Sequence, residues 1–284
     1  MMTEKFNGHR SPSRKVQNYF NMLGAICGDV VGSVYEMINY KGTDFPLFRE
    51  ASKYTDDTVL TVAVADAIMN NRDYAEVFRE YARQHPLAGY GGSFIAWVDD
   101  SSAGPYNSWG NGSAMRVSPV GWLFNDLDTV LLEAKRSADA THNHPEGVKG
   151  AQAIASAIWM ARNGYVKSEI KNYIETQFEY DLNRTIDEIR PTYEFDNSCA
   201  KTVPEAIIAF LESDDYESSI RKAISIGGDS DTLAAMAGSI AEAYYGYISQ
   251  EILDGVKPII HRVPKFTDIL QQFIFKLALE KKEA

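Results

Sequence analysis

The feature of this sequence that most constrains its fold is a pair of acidic residues at the start of an apolar helix. The segment "KYTDDTVLTVAVADAI" begins at Lys53 and places Asp56 and Asp57 directly before residues 58–70, which are apolar on nearly every side. A helix that is apolar all round is buried by the elements around it. The sequence therefore predicts a central helix that carries two adjacent carboxylates toward the interior.

The same arrangement recurs near the C-terminal end of the chain. In "GGDSDTLAAMAGSIAEA", Asp229 and Asp231 precede Thr232 and an apolar helix predicted over residues 231–246. One acid at a helix start is usually an N-cap, which binds free backbone N–H groups and complements the helix dipole. Capping needs only one or two side chains, so two carboxylates with neighbouring hydroxyls at each of two helix starts require a further explanation.

A divalent cation explains both acidic helix starts. Neighbouring carboxylates repel each other when they are buried, and no lysine or arginine lies within two residues of Asp56 or Asp57. Mg²⁺ accepts carboxylate, hydroxyl and water oxygens as ligands. If the two starts meet, their carboxylates and hydroxyls suffice for two metal ions about 4 Å apart. Because 172 residues separate Asp57 from Asp229, their meeting is a hypothesis at this stage.

The remaining periodicity predicts an all-α protein in one domain. Strand patterns are nearly absent, and "RPTYEF" (190–195) is at most a short extended piece. We expect a flexible N-terminal tail over residues 1–16, a single domain over 17–284, and a long structureless loop over 86–113, which a functional role would justify. Helical patterns cover 20–38, 58–70, 74–83, 127–142, 145–164, 167–178, 203–212, 216–225, 231–246 and 265–281.

Composition limits the classes of function. The chain has 284 residues, 45% of them apolar, with a net charge of −11 and a pI near 5.0. Nucleic acids and anionic membranes require a basic surface, so we expect neither as a partner. The two cysteines, Cys27 and Cys199, are too few for a disulfide scaffold, and the N-terminus shows no apolar signal segment. We therefore expect a reduced, cytoplasmic, soluble protein.

Two glycine-rich segments are candidates for binding an anion. They are "GYGGS" (89–93) and "GNGSAMR" (110–116). Glycine lets backbone N–H groups approach phosphate oxygens closely, although one such loop alone is a weak signal. Tyr90 and Trp109 are candidates for stacking on a base, and each is also typical of a core or rim position. Arg116 either assists phosphate binding or forms a structural ion pair.

Six motifs, taken in order along the chain, resemble the ADP-ribosylglycohydrolase family. Each is moderately specific by itself, whereas six in register over about 210 residues form a specific pattern. One departure is Ser230, where the family usually has threonine; serine keeps the hydroxyl, and this position is not a ligand in the motif. The motifs are "GAICGDVVGSVYE" (24–36), "YTDDT" (54–58), "GYGGS" (89–93), "GNGSAMRVSPVGW" (110–122), "THNHPEG" (141–147) and "GGDSDT" (227–232).

The resemblance implies both a fold and a site. The fold would be a compact, single-domain orthogonal helical bundle, all-α, with long functional loops and a cleft that holds a binuclear site of two Mg²⁺ or Mn²⁺ ions. The implied metal ligands are Thr55, Asp56, Asp57, Asp229, Asp231 and Thr232. The implied substrate-binding residues are Gly89, Gly91, Gly92, Trp109, Gly112, Ser113 and His142, and the implied catalytic residues are Glu36, Asp56 and Asp57.

Within that set the resemblance implies distinct roles. The glycines and Ser113 would hold a diphosphate, Trp109 would stack on adenine, and His142 would lie near the ribose or phosphates. Glu36 would lie at the metal site, either coordinating or gating it, although the residue pattern alone is equally typical of a surface glutamate. Asp29 is expected to support the structure by hydrogen bonding to backbone.

The implied activity is hydrolysis of the glycosidic bond between ADP-ribose and a modified protein side chain or small acceptor. The metals would hold the hydroxyls of the distal ribose, and the protein would act as a monomer on the ADP-ribose moiety. Arginine, serine and acetyl acceptors all remain open. Two alternatives belong to other classes: a two-metal phosphoesterase that cleaves ADP-ribose to AMP, and a non-catalytic protein that binds ADP-ribose.

Overall fold

The computed structural model describes residues 22–283, which form fifteen α-helices and one 3₁₀ turn, Glu36–Ile38, with no β-strand among them. The all-α prediction is confirmed. The helices are α1 (Leu23–Gly32), α2 (Asp56–Met69), α3 (Tyr74–Gln84), α4 (Gly92–Asp99), α5 (Gly112–Met115), α6 (Ser118–Leu123), α7 (Leu127–Asp139), α8 (Pro145–Arg162), α9 (Lys167–Phe178), α10 (Ile186–Ile189), α11 (Cys199–Leu211), α12 (Tyr216–Ser225), α13 (Ser230–Tyr245), α14 (Gln250–Ile260) and α15 (Pro264–Glu283).

The two helices that begin with paired acids are central. Residues 57–67 of α2 and residues 230–243 of α13 are buried without interruption. An apolar helix of this kind draws its stability from packing on every side rather than from an amphipathic face. The carboxylates in the first turns of both helices are therefore carried into the interior, as the sequence predicts.

Glycines bring helix α1 into backbone contact with α13. Three glycines spaced four residues apart lie on one face of α1, because residues i and i+4 share a face. A Cβ atom would lie 2.1 Å from the Ala234 carbonyl oxygen at Gly28, and 2.5 Å from Asp231 Cα at Gly32. At Gly24 the same atom would lie 2.4 Å from a backbone oxygen of α13. No side chain fits between the two helices at these positions.

Glu242 of α13 fixes the N-terminal end of α1. Its carboxylate accepts hydrogen bonds from the backbone N–H of Gly24 at 2.8 Å and of Leu23 at 3.3 Å. These are two of the donors that a helix start leaves unsatisfied. The Tyr216 hydroxyl of α12 donates to the Gly24 carbonyl oxygen at 2.7 Å. Helix α1 is thus held in register along α13 from its first residue to its last.

Most predicted helices are confirmed, and two parts of the prediction are wrong. Residues 86–113 are not a structureless loop, because α4 lies within them and buries Phe94 and Trp97. The sequence also gave no prediction for α14, which carries Pro258 in its interior. The predicted tail over 1–16 lies outside the described residues. Among the described residues, none of the helices combines the length and apolarity that a membrane span requires.

We predict that Gly28→Ala destabilises the protein. In an ordinary helix this change is stabilising by about 1 kcal/mol. Here the added Cβ meets the Ala234 carbonyl oxygen at 2.1 Å, and overpacking of this kind costs about 1–3 kcal/mol. The free energy of unfolding from urea denaturation is the measurement.

Gly104→Ala is the matched control, because nothing lies within 4 Å of a Cβ at that position. The free energy of unfolding of Gly104→Ala should equal that of the wild type. Equal or greater stability of Gly28→Ala would show that α1 and α13 are not in backbone contact at this position.

Candidate active site

Asp29 of α1 holds the first turn of α2. This side chain is fully buried. Its carboxylate accepts hydrogen bonds from the Thr55 backbone N–H at 3.0 Å, the Thr55 hydroxyl at 2.8 Å and the Thr58 backbone N–H at 3.2 Å. The Thr58 hydroxyl donates to the same carboxylate. The expectation that Asp29 supports the structure through backbone hydrogen bonds is confirmed, and this residue fixes where Asp56 and Asp57 lie.

The acidic starts of α2 and α13 meet at the C-terminal end of α1. The Thr232 hydroxyl of α13 donates to the Asp57 carboxylate at 3.3 Å. Carboxylate oxygens of Glu36, Asp229 and Asp231 lie within 4.8 Å of one another. The predicted meeting of two segments that are 172 residues apart is confirmed. We call the five carboxylates Glu36, Asp56, Asp57, Asp229 and Asp231 the acidic cluster.

Glu36 reaches the acidic cluster from the 3₁₀ turn that follows α1. Asn39 ends this turn in the left-handed region, with φ of 46°. Its side-chain oxygen accepts a hydrogen bond from the Gly228 backbone N–H at 2.9 Å. This bond ties the turn to the loop that carries Asp229. Glu36 is therefore a half-buried residue of the cluster and not a surface glutamate.

Burial and mutual repulsion raise the pKa values of the clustered carboxylates. Burial, and then the charges of Asp29 and Asp229, raise the pKa of Asp56 to about 8. Burial and the neighbouring Asp231 raise the pKa of Asp57 well above its ordinary value. For Glu36 the causes are again burial and then Asp229, with Lys53 acting in the opposite direction. A cluster with these properties is unfavourable without a compensating positive charge.

The donor set fits a hard divalent cation. Asp57 Oδ2 and Asp231 Oδ1 are buried and have no hydrogen-bond partner. Carboxylate oxygens without a hydrogen-bond partner are available to bind a metal ion. The hydroxyls of Thr55 and Thr232 lie at the same helix starts. Oxygen ligands of both kinds suit Mg²⁺ or Mn²⁺. The cluster therefore has the composition of a metal site. Cys27 and Cys199 are buried free thiols and are not part of it.

The acidic cluster lies in a cleft of about 490 Å³. This volume is in the range of small-molecule sites. Gly89, Gly91 and Gly92 line the cleft, and a Cβ at Gly91 or Gly92 would meet nothing within 4 Å. The space beside Gly91 and Gly92 is therefore open to a bound anion. All the predicted metal ligands, Glu36, Gly112 and His142 also line this cleft.

Two predicted substrate residues lie differently from expectation. Trp109 is 52% exposed and is not among the residues that line the cleft. The Ser113 side chain is fully buried, and its hydroxyl donates to the Gly147 carbonyl oxygen at 2.6 Å. Ser113 as a whole is buried and is not among the residues that line the cleft. Tyr90, the other stacking candidate, is buried against Phe94 with ring centroids 5.1 Å apart.

His142 and Arg116 form the inner wall of the cleft. Burial, and then the charge of Arg116, lower the pKa of His142 well below its ordinary value, so the imidazole is neutral near pH 7. Its Nε2 lies 2.9 Å from where a Cβ of Gly112 would be, which explains the glycine at that position. Arg116 is fully buried and donates to the Ser137 carbonyl oxygen and the Thr141 hydroxyl, both at 2.9 Å. These bonds fix the Arg116 side chain, while its Nε and Nη1 atoms are buried without a hydrogen-bond partner in the cleft lining.

The structure adds cleft residues that the sequence did not mark. Asn111 donates to the Asp229 carboxylate at 2.7 Å and so orients it. This asparagine belongs to the motif "GNGSAMR", in which the sequence predicted roles for Gly112, Ser113 and Arg116 but none for Asn111. The other additions come from segments without a motif of their own, and the sequence held no signal for them. They are Met37, Lys53, Phe94, Tyr106, Ser108, Phe195 and Asn197.

Comparisons with known proteins agree on one family. A sequence profile described as ADP-ribosylglycohydrolase matches residues 20–282. The chain is 28% identical to "ADP-ribosylhydrolase ARH3" of Gallus gallus, over 79% of this chain and 84% of that protein. It is also 28% identical to "ADP-ribosylhydrolase ARH3" of Homo sapiens, over the same shares.

A bacterial relative and a solved structure extend the comparison. "ADP-ribosylarginine hydrolase Tri1" of Pseudomonas putida is 27% identical, over 79% of this chain and 69% of that protein. A solved chain titled "ADP-ribosylglycohydrolase-related protein complex" matches with a TM-score of 0.67 and 21% identity, covering 91% of this chain and 98% of that chain. At this identity the structural match shows the fold alone, and it supports the all-α helical bundle.

We predict that Mg²⁺ or Mn²⁺ raises the melting temperature of the metal-free protein. A ligand that binds only the folded state at a hundredfold excess over its Kd stabilises it by about 2.7 kcal/mol. For a chain of this size that corresponds to roughly 5–10 °C. Differential scanning calorimetry with and without the ion is the measurement.

The double variant Asp57→Asn and Asp231→Asn is the control. It removes the two carboxylates of the acidic cluster that have a buried oxygen without a hydrogen-bond partner. Without metal it should melt above the wild type, because charge repulsion is relieved, and the ion should shift it far less. An equal shift in wild type and variant would mean that the ion binds outside the acidic cluster.

Proposed function

The chain belongs to the ADP-ribosylglycohydrolase family and is a glycohydrolase that removes ADP-ribose, and we propose that its activity depends on a pair of divalent metal ions in the acidic cluster. One observation carries the proposal: the starts of α2 and α13 meet in a cleft, with Asp57 Oδ2 and Asp231 Oδ1 buried and unpartnered. The ions would be Mg²⁺ or Mn²⁺. Thr55, Asp56, Asp57, Asp229, Asp231 and Thr232 would hold them.

The cleft suggests how ADP-ribose is oriented. The diphosphate would lie on the backbone N–H groups of Gly89, Gly91 and Gly92, and no side chain occupies the space beside Gly91 and Gly92. The distal ribose would then lie at the acidic cluster with its anomeric carbon toward Glu36. The neutral imidazole of His142 would contact the sugar or phosphates from the inner wall. Phe94, Tyr106 and Phe195, and not Trp109, are the phenylalanine, tyrosine and tryptophan side chains that line the cleft.

The reaction suits a cluster of carboxylates. Cleavage of a glycosidic bond passes through an oxocarbenium-like transition state, whose positive charge nearby carboxylates stabilise. Glu36, Asp56 or Asp57 would take the proton from the attacking water and return one to the leaving group. The metals, when bound, would supply a template that fixes the ribose hydroxyls. Asn111 orients Asp229, and Asp29 orients the first turn of α2.

The partner is the ADP-ribose moiety of a modified protein or small molecule. The name of the bacterial relative specifies arginine as its acceptor, whereas the name of the vertebrate relatives specifies none. We propose a monomer in the cytoplasm that binds neither nucleic acid nor membrane. The net charge of −11 and the two free, buried thiols support this assignment.

The proposed function is tested by product analysis. The purified protein is incubated with peptides that carry serine-linked or arginine-linked ADP-ribose, and separately with acetyl-ADP-ribose. Mass spectrometry should detect free ADP-ribose from at least one substrate. Chelation should abolish its release, and Mg²⁺ or Mn²⁺ should restore it. Glu36→Gln should retain ADP-ribose affinity while turnover falls by about 10²–10⁴, the contribution of a general acid–base group.

Other products would support the competing functions. AMP in place of ADP-ribose would identify a two-metal phosphoesterase. Tight ADP-ribose binding with no product would identify a binding protein. Full activity in protein shown to be metal-free would overturn the metal-dependent mechanism while leaving the glycohydrolase assignment intact.

A further inference from the structure

Two exposed apolar side chains line the cleft beside its acidic residues, and a third, Ile38, follows one of them in the 3₁₀ turn. Met37 is 87% exposed, Ile38 53% and Phe195 58%. Met37 and Phe195 both line the cleft beside Glu36, Asp229 and Asp231. A single exposed apolar residue needs no explanation, but a contiguous group at a binding site marks an interaction surface. We call Met37, Ile38 and Phe195 the apolar rim.

The two segments of the apolar rim are held against the same glycine. The side chain of Asn39, which follows Ile38, accepts the hydrogen bond from the Gly228 backbone N–H. A Cβ at Gly228 would lie 3.2 Å from Phe195 Cα. Gly228 has φ of 66°, in the region that favours glycine. Residues 37–39 and 195 therefore flank one turn of backbone, directly before Asp229.

Lys41 fixes the relative position of these segments. Its ammonium group donates to the Ile226 carbonyl oxygen at 2.6 Å and to the Tyr193 carbonyl oxygen. One side chain thus joins the segment after α1, the segment before Phe195 and the loop before α13. The apolar rim is a preorganised surface, which lowers the entropic cost of binding a partner.

The location of the apolar rim identifies what it faces. Glu36 belongs to the same 3₁₀ turn as Met37 and Ile38, so the rim lies where the bond to the acceptor is broken. The ADP-ribose moiety is polar and charged and would be held by the glycine segments and the acidic cluster. Adenine, the part of ADP-ribose that stacks on aromatic side chains, would lie at the other end of the diphosphate from the acidic cluster. A small acetyl acceptor is too short to cover three apolar side chains.

We propose that the apolar rim is the docking surface for a polypeptide acceptor, and that it binds an apolar side chain next to the ADP-ribosylated residue. This inference rests on the proposed function and identifies peptides and proteins as the acceptors that the apolar rim favours over small ones. It also identifies Met37, Ile38 and Phe195 as residues that determine specificity without touching the ADP-ribose moiety.

The test compares two substrates of the same enzyme. One is an ADP-ribosylated peptide with leucine or phenylalanine beside the modified residue, and the other is acetyl-ADP-ribose. The ratio of their kcat/KM values is measured for the wild type, Ile38→Ser and Met37→Ser/Phe195→Ser. Loss of one buried apolar contact corresponds to about tenfold in affinity. We therefore expect the ratio to fall roughly tenfold in the single variant and about 100-fold in the double variant.

Two exposed apolar residues that do not line the cleft serve as controls. Phe275 of α15 is 67% exposed and Leu132 of α7 is 57% exposed. Phe275→Ser and Leu132→Ser should keep the wild-type ratio. A peptide with glycine on both sides of the modified residue should also give a lower ratio with the wild type, and the rim variants should change that ratio little.

The outcomes separate this inference from the proposed function. If the wild type releases ADP-ribose from both substrates and the rim variants keep its substrate ratio, the docking surface is wrong while the activity stands. The same conclusion follows if both kcat/KM values fall equally. If the wild type releases ADP-ribose from neither substrate, the proposed function fails and the inference fails with it.

Discussion

The backbone contact between α1 and α13 is the constraint on which the cleft depends. Glycines on one face of α1 let the helices approach until a Cβ at Gly28 would lie 2.1 Å from a carbonyl oxygen. That approach sets the C-terminal end of α1 beside Asp231. From the same helix Asp29 binds the start of α2 through both backbone and hydroxyl groups. Helix α1 therefore positions both acidic helix starts, although it contributes no predicted metal ligand itself.

The acidic cluster lowers the stability of the metal-free protein and supplies the oxygen ligands that a metal site requires. Capping alone would be satisfied by Thr55, which accepts the Asp57 backbone N–H. The additional carboxylates are buried with raised pKa values, and two of their oxygens have no partner. Such an arrangement is costly in an empty site and favourable once a cation is bound. Thr232 and Asn111 each satisfy one carboxylate and leave the others free to act as ligands.

Sequence reasoning succeeded where local chemistry determines the outcome. Apolar periodicity located α9 and α12 to the residue, and the surplus of acids at α2 and α13 pointed to their meeting. It failed where a distant partner decides. The hydroxyl of Ser113 binds Gly147, 34 residues away. Trp109 is exposed and does not line the cleft, although Ser108 and Gly110 do. Phe195 follows no motif, and distant partners bring its segment to the cleft: Lys41 binds the Tyr193 carbonyl oxygen, and the Asn111 backbone N–H donates to the Asn197 carbonyl oxygen at 2.8 Å.

The most direct test of this account is the metal affinity of Asp29→Asn. Asp29 is no predicted ligand, yet it holds Thr55 and Thr58 at the start of α2. Mutation of a residue that orients metal ligands in this way typically lowers metal affinity by about 10–100-fold. The measurement is a titration with Mn²⁺ in which electron paramagnetic resonance reports the free ion. We expect the Kd for Mn²⁺ to rise by that factor in Asp29→Asn. Circular dichroism should show that the variant is folded. A folded Asp29→Asn with the wild-type Kd would contradict the claim that α1 assembles the site.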